Sequence, residues 1–289
     1  LACSFLWGTT FVAQDTGMDF IGPYTFCAVR LFLGFLGLLP FFIYFEFNEI
    51  KKINFNLKKV FFFTLILGSI FGMANILQQV SLLYTDIANS AVFTVLYVVI
   101  VPLISYFIFS IKIHPSIWPS VTLCLIGGLL LSEIKNYDVR FGDMLVIIGA
   151  FFWAFHIIFI YKVLKIFNFP IAIATFQCLV AGIFCSFPAL AFETVTINLI
   201  SKEITELLYA GILSSGVAFM LQAYAQRVLS PASVAIIFSL EGVFASIFGW
   251  ILLDQFLSEI KVFGIMIILL AVIFSQLIPI YGKKNYGRI

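Results

Sequence analysis

The group with the most chemistry to offer is an acid set deep in an apolar stretch. Glu241 lies about nine residues into the stretch 232–252, with no other charged residue between Arg227 and Asp254. If that stretch crosses a bilayer, an ionised side chain at its centre costs about 2.5–3.5 kcal/mol on insertion scales. The carboxyl must then be paired, hydrated or protonated. Burial favours the neutral acid, the condition under which a carboxyl can carry a proton. The competing role is structural, as a hydrogen-bond partner to a neighbouring helix.

Other polar residues recur at helical spacing, which brings i, i+4, i+7 and i+11 onto one face. The stripes are Cys3, Trp7, Thr10, Gln14; Gly68, Gly72, Asn75, Gln79; and Ser90, Thr94, Tyr97, Val101. Their counterparts are Gly149, Trp153, His156, Ile160; Gly211, Ser215, Ala218, Gln222; and Val234, Phe238, Glu241, Ala245. Polar groups turned to lipid are costly, so these faces should look into the bundle or a watery cavity. Two readings stand for each stripe. Gly68-xxx-Gly72 and Gly211-xxx-Ser215 are small-xxx-small patterns that let helices approach. Asn75, Gln78, Gln79, Gln222, Trp7 and Trp153 can either pack between helices or line a cavity. Arg30, about seven residues into its stretch, can snorkel to water, pair with an internal acid or anchor the helix. His156 can line the pore or act as a neutral hydrogen-bonding partner. No second ligand stands at metal spacing, so no metal site is expected.

These groups must be carried by membrane-spanning helices. Residues 60–85, 87–111, 113–132, 144–161, 166–192, 207–226 and 262–282 contain no Asp, Glu, Lys or Arg. Each is about the 20 residues needed to cross the hydrocarbon core. The chain is 63% hydrophobic and only 10% charged, against about 25% charged in soluble domains. The net charge of +2 gives no sign of nucleic acid binding. Five cysteines, Cys3, Cys27, Cys124, Cys178 and Cys185, sit in apolar stretches without metal spacing and read as small core residues. The expected fold is all-α and integral to the membrane. Ten helices are predicted at 1–14, 23–45, 60–82, 87–109, 114–132, 144–163, 169–191, 205–226, 232–252 and 261–281. The chain opens inside an apolar segment at Leu1, so the first helix is expected to begin upstream.

One set of connections carries eleven basic residues: Lys51, Lys52, Lys58, Lys59, Lys112, Lys162, Lys165, Arg227, Lys283, Lys284 and Arg288. The alternate set carries four: Lys135, Arg140, Lys202 and Lys261. The richer side is predicted to face the cytoplasm, with both termini. The halves also match in order. Trp7 corresponds to Trp153, Pro23 to Pro170 and Arg30 to Gln177. At a constant offset of 144, Gly72, Ala74, Leu77 and Gln78 match Gly216, Ala218, Leu221 and Gln222. Five spans per half force the second half to enter from the opposite face. That is a 5+5 inverted repeat, which in secondary transporters sets the solute site near the midplane.

Trp7-Gly-Thr-Thr-Phe, Pro23 to Arg30 with Leu38-Leu39-Pro40, Leu96-Tyr97-Val98-Val99-Ile100-Val101-Pro102 and Ser239-Leu240-Glu241-Gly242-Val243-Phe244 together resemble the EamA-type permeases of the drug/metabolite transporter superfamily. The resemblance covers the chain as two tandem repeats, 1–133 and 142–281, with a cytoplasmic basic tail at 282–289. It implies ten helices, a central cavity and alternating access, and it makes export and a cell inner membrane the expectation. Gly242 departs from relatives that carry proline there, which removes the usual cause of a kink.

The expected function is therefore secondary active transport of small neutral or zwitterionic, amino-acid-like metabolites. No Walker A loop is present to power it by nucleotide hydrolysis, and Glu241 is the proton-coupling candidate. Cavity candidates are Trp7, Thr10, Gln14, Asn75, Gln78, Gln79, Tyr97, Trp153, His156, Gln222 and Glu241. Arg30, Gln177, Gly72 and Gly216 are candidates for structural or gating roles. The alternatives are a passive facilitator or channel, and an integral membrane enzyme, for which no HExxH or GxSxG motif is found. The expected partners are a small solute and the lipid bilayer, with no cofactor, and the chain is expected as a monomer or weak homodimer.

Overall fold

The computed structural model describes residues 1–53, 56–85, 87–115, 117–132, 140–253 and 256–285. Lys135, Asp254 and Arg288 lie outside the described residues, as do the loop residues 133–139 and the tail beyond 285. The described residues form helices and connections, with no strand. The first half carries α1 (Ala2–Thr16), α2 (Pro23–Phe45), the short α3 (Phe47–Lys51) and α4 (Leu57–Ser81). It continues with α5 (Ile87–Thr94), α6 (Tyr97–Phe107) and α7 (Ile117–Ser132). The second half carries α8 (Phe141–Ile166), α9 (Pro170–Phe192), the short α10 (Ile197–Lys202) and α11 (Ile204–Leu208). A π-helical segment, Tyr209–Ala218, follows, then α12 (Phe219–Gln226), α13 (Pro231–Phe238), α14 (Leu240–Leu253) and α15 (Glu259–Asn285).

Eight helical stretches among the described residues are long and apolar enough to cross a membrane: 23–45, 58–81, 89–107, 141–166, 170–192, 204–226, 231–252 and 259–276. Ile117–Leu131 is a shorter apolar helix. α1 has 15 residues, about 22 Å at 1.5 Å per residue, and is not among the eight. The polarity is inside out relative to a soluble domain. Gln79, Gln177, Gln226, His156 and Ser90 are fully buried, while Phe61, Phe107, Phe187, Leu190 and Phe192 are exposed. Such a surface suits lipid as solvent, and the chain is a multi-pass membrane protein.

α2 and α9 are each 23 residues long, each open on proline at the first turn, and each end directly before a glutamate. Neither start has a side-chain cap of its own, because Gly22 and Phe169 stand at the capping positions. Each helix instead borrows a carboxylate from the end of the other. Glu193, after α9, accepts from the amides of Tyr24 and Thr25 at 2.9 and 2.7 Å. Glu46, after α2, accepts from Ile171 and Ala172 at 3.1 and 2.7 Å. The two helices therefore run antiparallel and are tied at both ends. An anion at the amino-terminal end of a helix also meets the positive pole of the helix dipole. Gly22 lets the Glu193 carboxylate come this close, since a Cβ there would press on it and the side chain would have to shift. Burial raises the Glu46 carboxyl above its usual range, against the opposing pull of the Ala172 and Ile171 amides and of Arg227.

Two spans predicted as continuous are interrupted. α5 ends at Thr94 and α6 resumes at Tyr97, while α13 ends at Phe238 and α14 resumes at Leu240. Thr94 and Phe238 stand at the same offset of 144 that relates the two halves, as do Tyr97 and Glu241. The second interruption occurs without a proline at Gly242. Hydroxyl groups support it instead: Ser239 Oγ donates to Ile236 O at 2.6 Å and Ser4 Oγ donates to Ile237 O at 3.0 Å. On the first side Thr94 Oγ1 donates to Ser90 O at 2.8 Å. Carbonyls released from a helix inside a membrane need such partners.

Replacing Glu193 or Glu46 with alanine leaves two helix-start amides unmet in each case. Each variant should lose about 1–2 kcal/mol of unfolding free energy, read by denaturant titration of the reconstituted protein. Glu46→Ala should be the more damaging, because Glu46 is buried and Glu193 is only partly so.

Candidate functional site

A cavity opens where α1, α4, α5–α6 and α8 meet the π segment, α12, α13 and α14. Its lining includes Trp7, Phe11, Gln14, Arg30, Asn75, Gln78, Thr94, Tyr97, Trp153 and His156 from the first eight helices. Ser214, Ser215, Phe219, Gln222, Phe238 and Glu241 complete it from the later ones. The free space is about 40 Å³, room for a few waters and far below the roughly 300–1,000 Å³ of an occupied ligand pocket.

The acid sits at the join between halves. Tyr97 OH donates to Glu241 Oε1 at 3.0 Å, so the two positions related by the repeat touch each other. Behind this contact α1 lies close to α14 at Gly8, where a Cβ would lie 2.5 Å from Phe244 Cβ and 2.7 Å from the Glu241 carbonyl. α1 and α14 thus meet backbone to backbone behind the carboxyl.

The tryptophans form opposite walls. Trp153 Nε1 donates to Gln78 Oε1 at 2.9 Å, and Trp7 Nε1 donates to Ser214 O at 3.4 Å. Phe219 sits between them, 4.7 Å from Trp7 and stacked on Trp153 at 5.9 Å between centroids. Phe71 stacks on His156 at 4.8 Å. His156 Nε2 lies 3.0 Å from Gln177 Oε1, which joins the histidine to α9. The π segment contributes through its backbone: the Ser214 carbonyl takes Trp7 and the Ser215 carbonyl takes the Cys178 thiol at 3.1 Å. Short π insertions recur at functional sites.

Of the residues singled out in the sequence, Trp7, Gln14, Asn75, Gln78, Tyr97, Trp153, His156, Gln222 and Glu241 come together around this cavity. Thr10 and Gln79 are outside the lining. Thr10 donates back to the Leu6 carbonyl, and Gln79 Nε2 donates to Gln14 O at 2.8 Å. Gly72 and Gly216 stand at helix contacts, against Phe184 and the Gly34 carbonyl. Arg30 does not snorkel. It is 3% exposed, donates to Asn75 Oδ1 and borders the cavity. Sequence reasoning did not find Phe11, Ser214 or Phe219. The spacing of Gly211 and Gly216 hints at the close-packed π segment around Ser214, but nothing separates Phe219 from the other 35 phenylalanines.

A multi-pass helical bundle with a polar chamber drawn from both halves of its sequence is built as a solute transporter. The chain belongs to the EamA-like transporter family, which matches residues 1–133 and 140–277. It is similar to an uncharacterized transporter of Archaeoglobus fulgidus, 31% identical over 274 residues that cover 95% of this chain and 83% of that protein. It is also similar to the uncharacterized transporter YoaV of Bacillus subtilis, 26% identical over 280 residues, 93% of this chain and 92% of that one. A solved crystal structure shares the fold at a TM-score of 0.78 and 14% identity, over 99% of this chain and 96% of its own.

The Tyr97–Glu241 contact is testable by a double-mutant cycle with Tyr97→Phe and Glu241→Gln. Buried interhelical bonds in membranes couple by about 0.6 kcal/mol on average and up to about 1.7 kcal/mol. Stability measurements on the four proteins should give a coupling in that range. Additive single effects would mean that the bond carries no stability.

Proposed function

We propose that the chain is a secondary transporter that exports small neutral or zwitterionic, amino-acid-like metabolites by alternating access. In this reading it has ten spans in a 5+5 inverted repeat, with repeats at 1–133 and 142–281 and a basic tail at 282–289. It lies in the cell inner membrane with both termini in the cytoplasm, as the eleven-to-four distribution of basic residues favours. It works as a monomer or weak homodimer.

The observation that carries this reading is the matched pair of interrupted helices. Interruptions at corresponding positions of two halves are the best pointer to a solute site in inverted-repeat transporters. Here they fall 144 positions apart, and the Tyr97–Glu241 bond spans that same interval. The antiparallel α2 and α9, each ended by the carboxylate that caps the other, fit the same inverted relation.

The lining suits a small organic solute. Trp7, Trp153, Phe219 and Phe238 offer apolar walls, while Gln14, Asn75, Gln78 and Gln222 offer amides. Glu241 is the proton-coupling candidate: it is 5% exposed, faces the chamber and accepts a hydrogen bond from Tyr97. A carboxyl so placed can exchange a proton with the chamber in one state and be shielded from water in another.

Saturable counterflow of radiolabelled leucine, threonine or phenylalanine by the purified protein in liposomes tests the carrier reading. Linear, unsaturable flux would instead identify a passive channel. An imposed pH gradient should drive accumulation in the wild type. Glu241→Gln should keep counterflow but lose the response to the gradient, and a variant that responds as the wild type does at every pH would remove Glu241 from coupling.

A further inference from the structure

We propose that Arg30 is the anchor for the solute's carboxylate, an assignment that rests on the amino-acid carrier reading above and names the pole of the solute it holds. Arg30 is a permanently charged group and is 97% shielded from solvent. No carboxylate among the described residues pairs with it within 4 Å. One guanidinium nitrogen donates to Asn75 Oδ1, and the Phe26 ring lies 5.7 Å from its central carbon. The Nε hydrogen, one prong of the fork that grips a carboxylate side-on, has no partner. Arg30 lines the central cavity.

A lone cation buried in a membrane protein is expensive and is normally paired. The Cys27 thiol and the Asn75 amide hold Arg30 in place, and no carboxylate among the described residues does. Asn75 is itself fixed by its Nδ2 donating to Phe71 O at 2.7 Å, which leaves its oxygen free to hold the guanidinium. Asn75 is thus a positioning residue. The missing counter-charge must come from what enters the chamber, and a planar carboxylate is the anion whose geometry matches the fork. The same cavity holds the carboxyl of Glu241, which accepts from Tyr97 and has no bond to Arg30. One cation and one acid along a single chamber suit a molecule with a carboxylate at one end and an ammonium group at the other.

The test is counterflow of L-phenylalanine, L-phenylalaninamide and phenethylamine by the full chain in liposomes. The aromatic ring suits the walls, and only the first probe has a carboxylate. The wild type should prefer phenylalanine over the other two by at least about tenfold in apparent affinity. Arg30→Gln should weaken phenylalanine by about 10–100-fold and move phenylalaninamide by less than about threefold. Arg30→Lys keeps the charge without the fork and should fall between them. A purely structural Arg30 would lower all probes together or none. Equal use of acid and amide by the wild type overturns the assignment without any variant, so a poorly folded Arg30→Gln does not shield it. A wild type that carries the amide or the amine but not the acid also overturns it, while leaving the carrier reading intact. A wild type inert to all three overturns the anchor, and one that also refuses leucine and threonine overturns the amino-acid reading with it.

Discussion

Hydrocarbon offers no hydrogen bonds, so every polar group at membrane depth must find its partner within the protein. The architecture follows from that constraint. Helices satisfy their own backbone, and the places where they do not are where serine, threonine and glutamate side chains appear. The gap between α13 and α14 is met by Ser4 and Ser239. The open starts of α2 and α9 are met by Glu193 and Glu46. The acid that faces the central cavity, Glu241, is met by Tyr97 from the other half. Each irregularity is affordable only because a second helix comes to it.

That dependence explains why the molecule closes on its own middle. Helix contacts in lipid gain little from hydrophobic burial and rely on close packing and hydrogen bonds. Gly8 lets α1 lie against the backbone of α14, and Gly127 and Gly264 let α7 and α15 approach until each would clash with the other's carbonyl if it had a Cβ. The small residues set the spacing. The polar groups set the register. Several buried polar atoms without partners, Gln14 Oε1, Arg30 Nε, His156 Nδ1 and Gln222 Oε1, belong to residues of the central cavity, while others, such as Ser105 Oγ and Ser120 Oγ, lie away from it.

Much of this was legible in the residues. Absence of charge over long runs located the helices to within a few positions, because a membrane tolerates little else. The stripes from Trp7 and Gln14 through Tyr97 to Trp153 and His156 marked the inward faces for the same reason. Continuity was not legible. Periodicity reports which face is polar, and it is nearly the same on either side of a short break, so the gaps after Thr94 and Phe238 left no trace. The register of Tyr209–Ala218 was hidden likewise, since a π segment adds one residue per turn without changing composition. For Arg30, position along the helix left reach to water, pairing and anchoring all open, and rotation about the helix axis, which turns it inward beside Asn75, is not readable from spacing alone.

The size of the chamber constrains how it can work. About 40 Å³ is free, so anything larger than a few waters fits only if helices part. α2 and α9 are the least suited to move separately, since separating them breaks four amide–carboxylate bonds at two opposite ends. α5–α6 and α13–α14 are the most suited. Their backbone ladders are already loosened to three-residue bonds at equivalent positions, Val98 N to Val95 O and Gly242 N to Ser239 O, so bending there sacrifices fewer regular hydrogen bonds than bending an intact helix. The bond between Tyr97 and Glu241 lies just beyond both interruptions. Any hinge at those points strains that one contact from both halves at once.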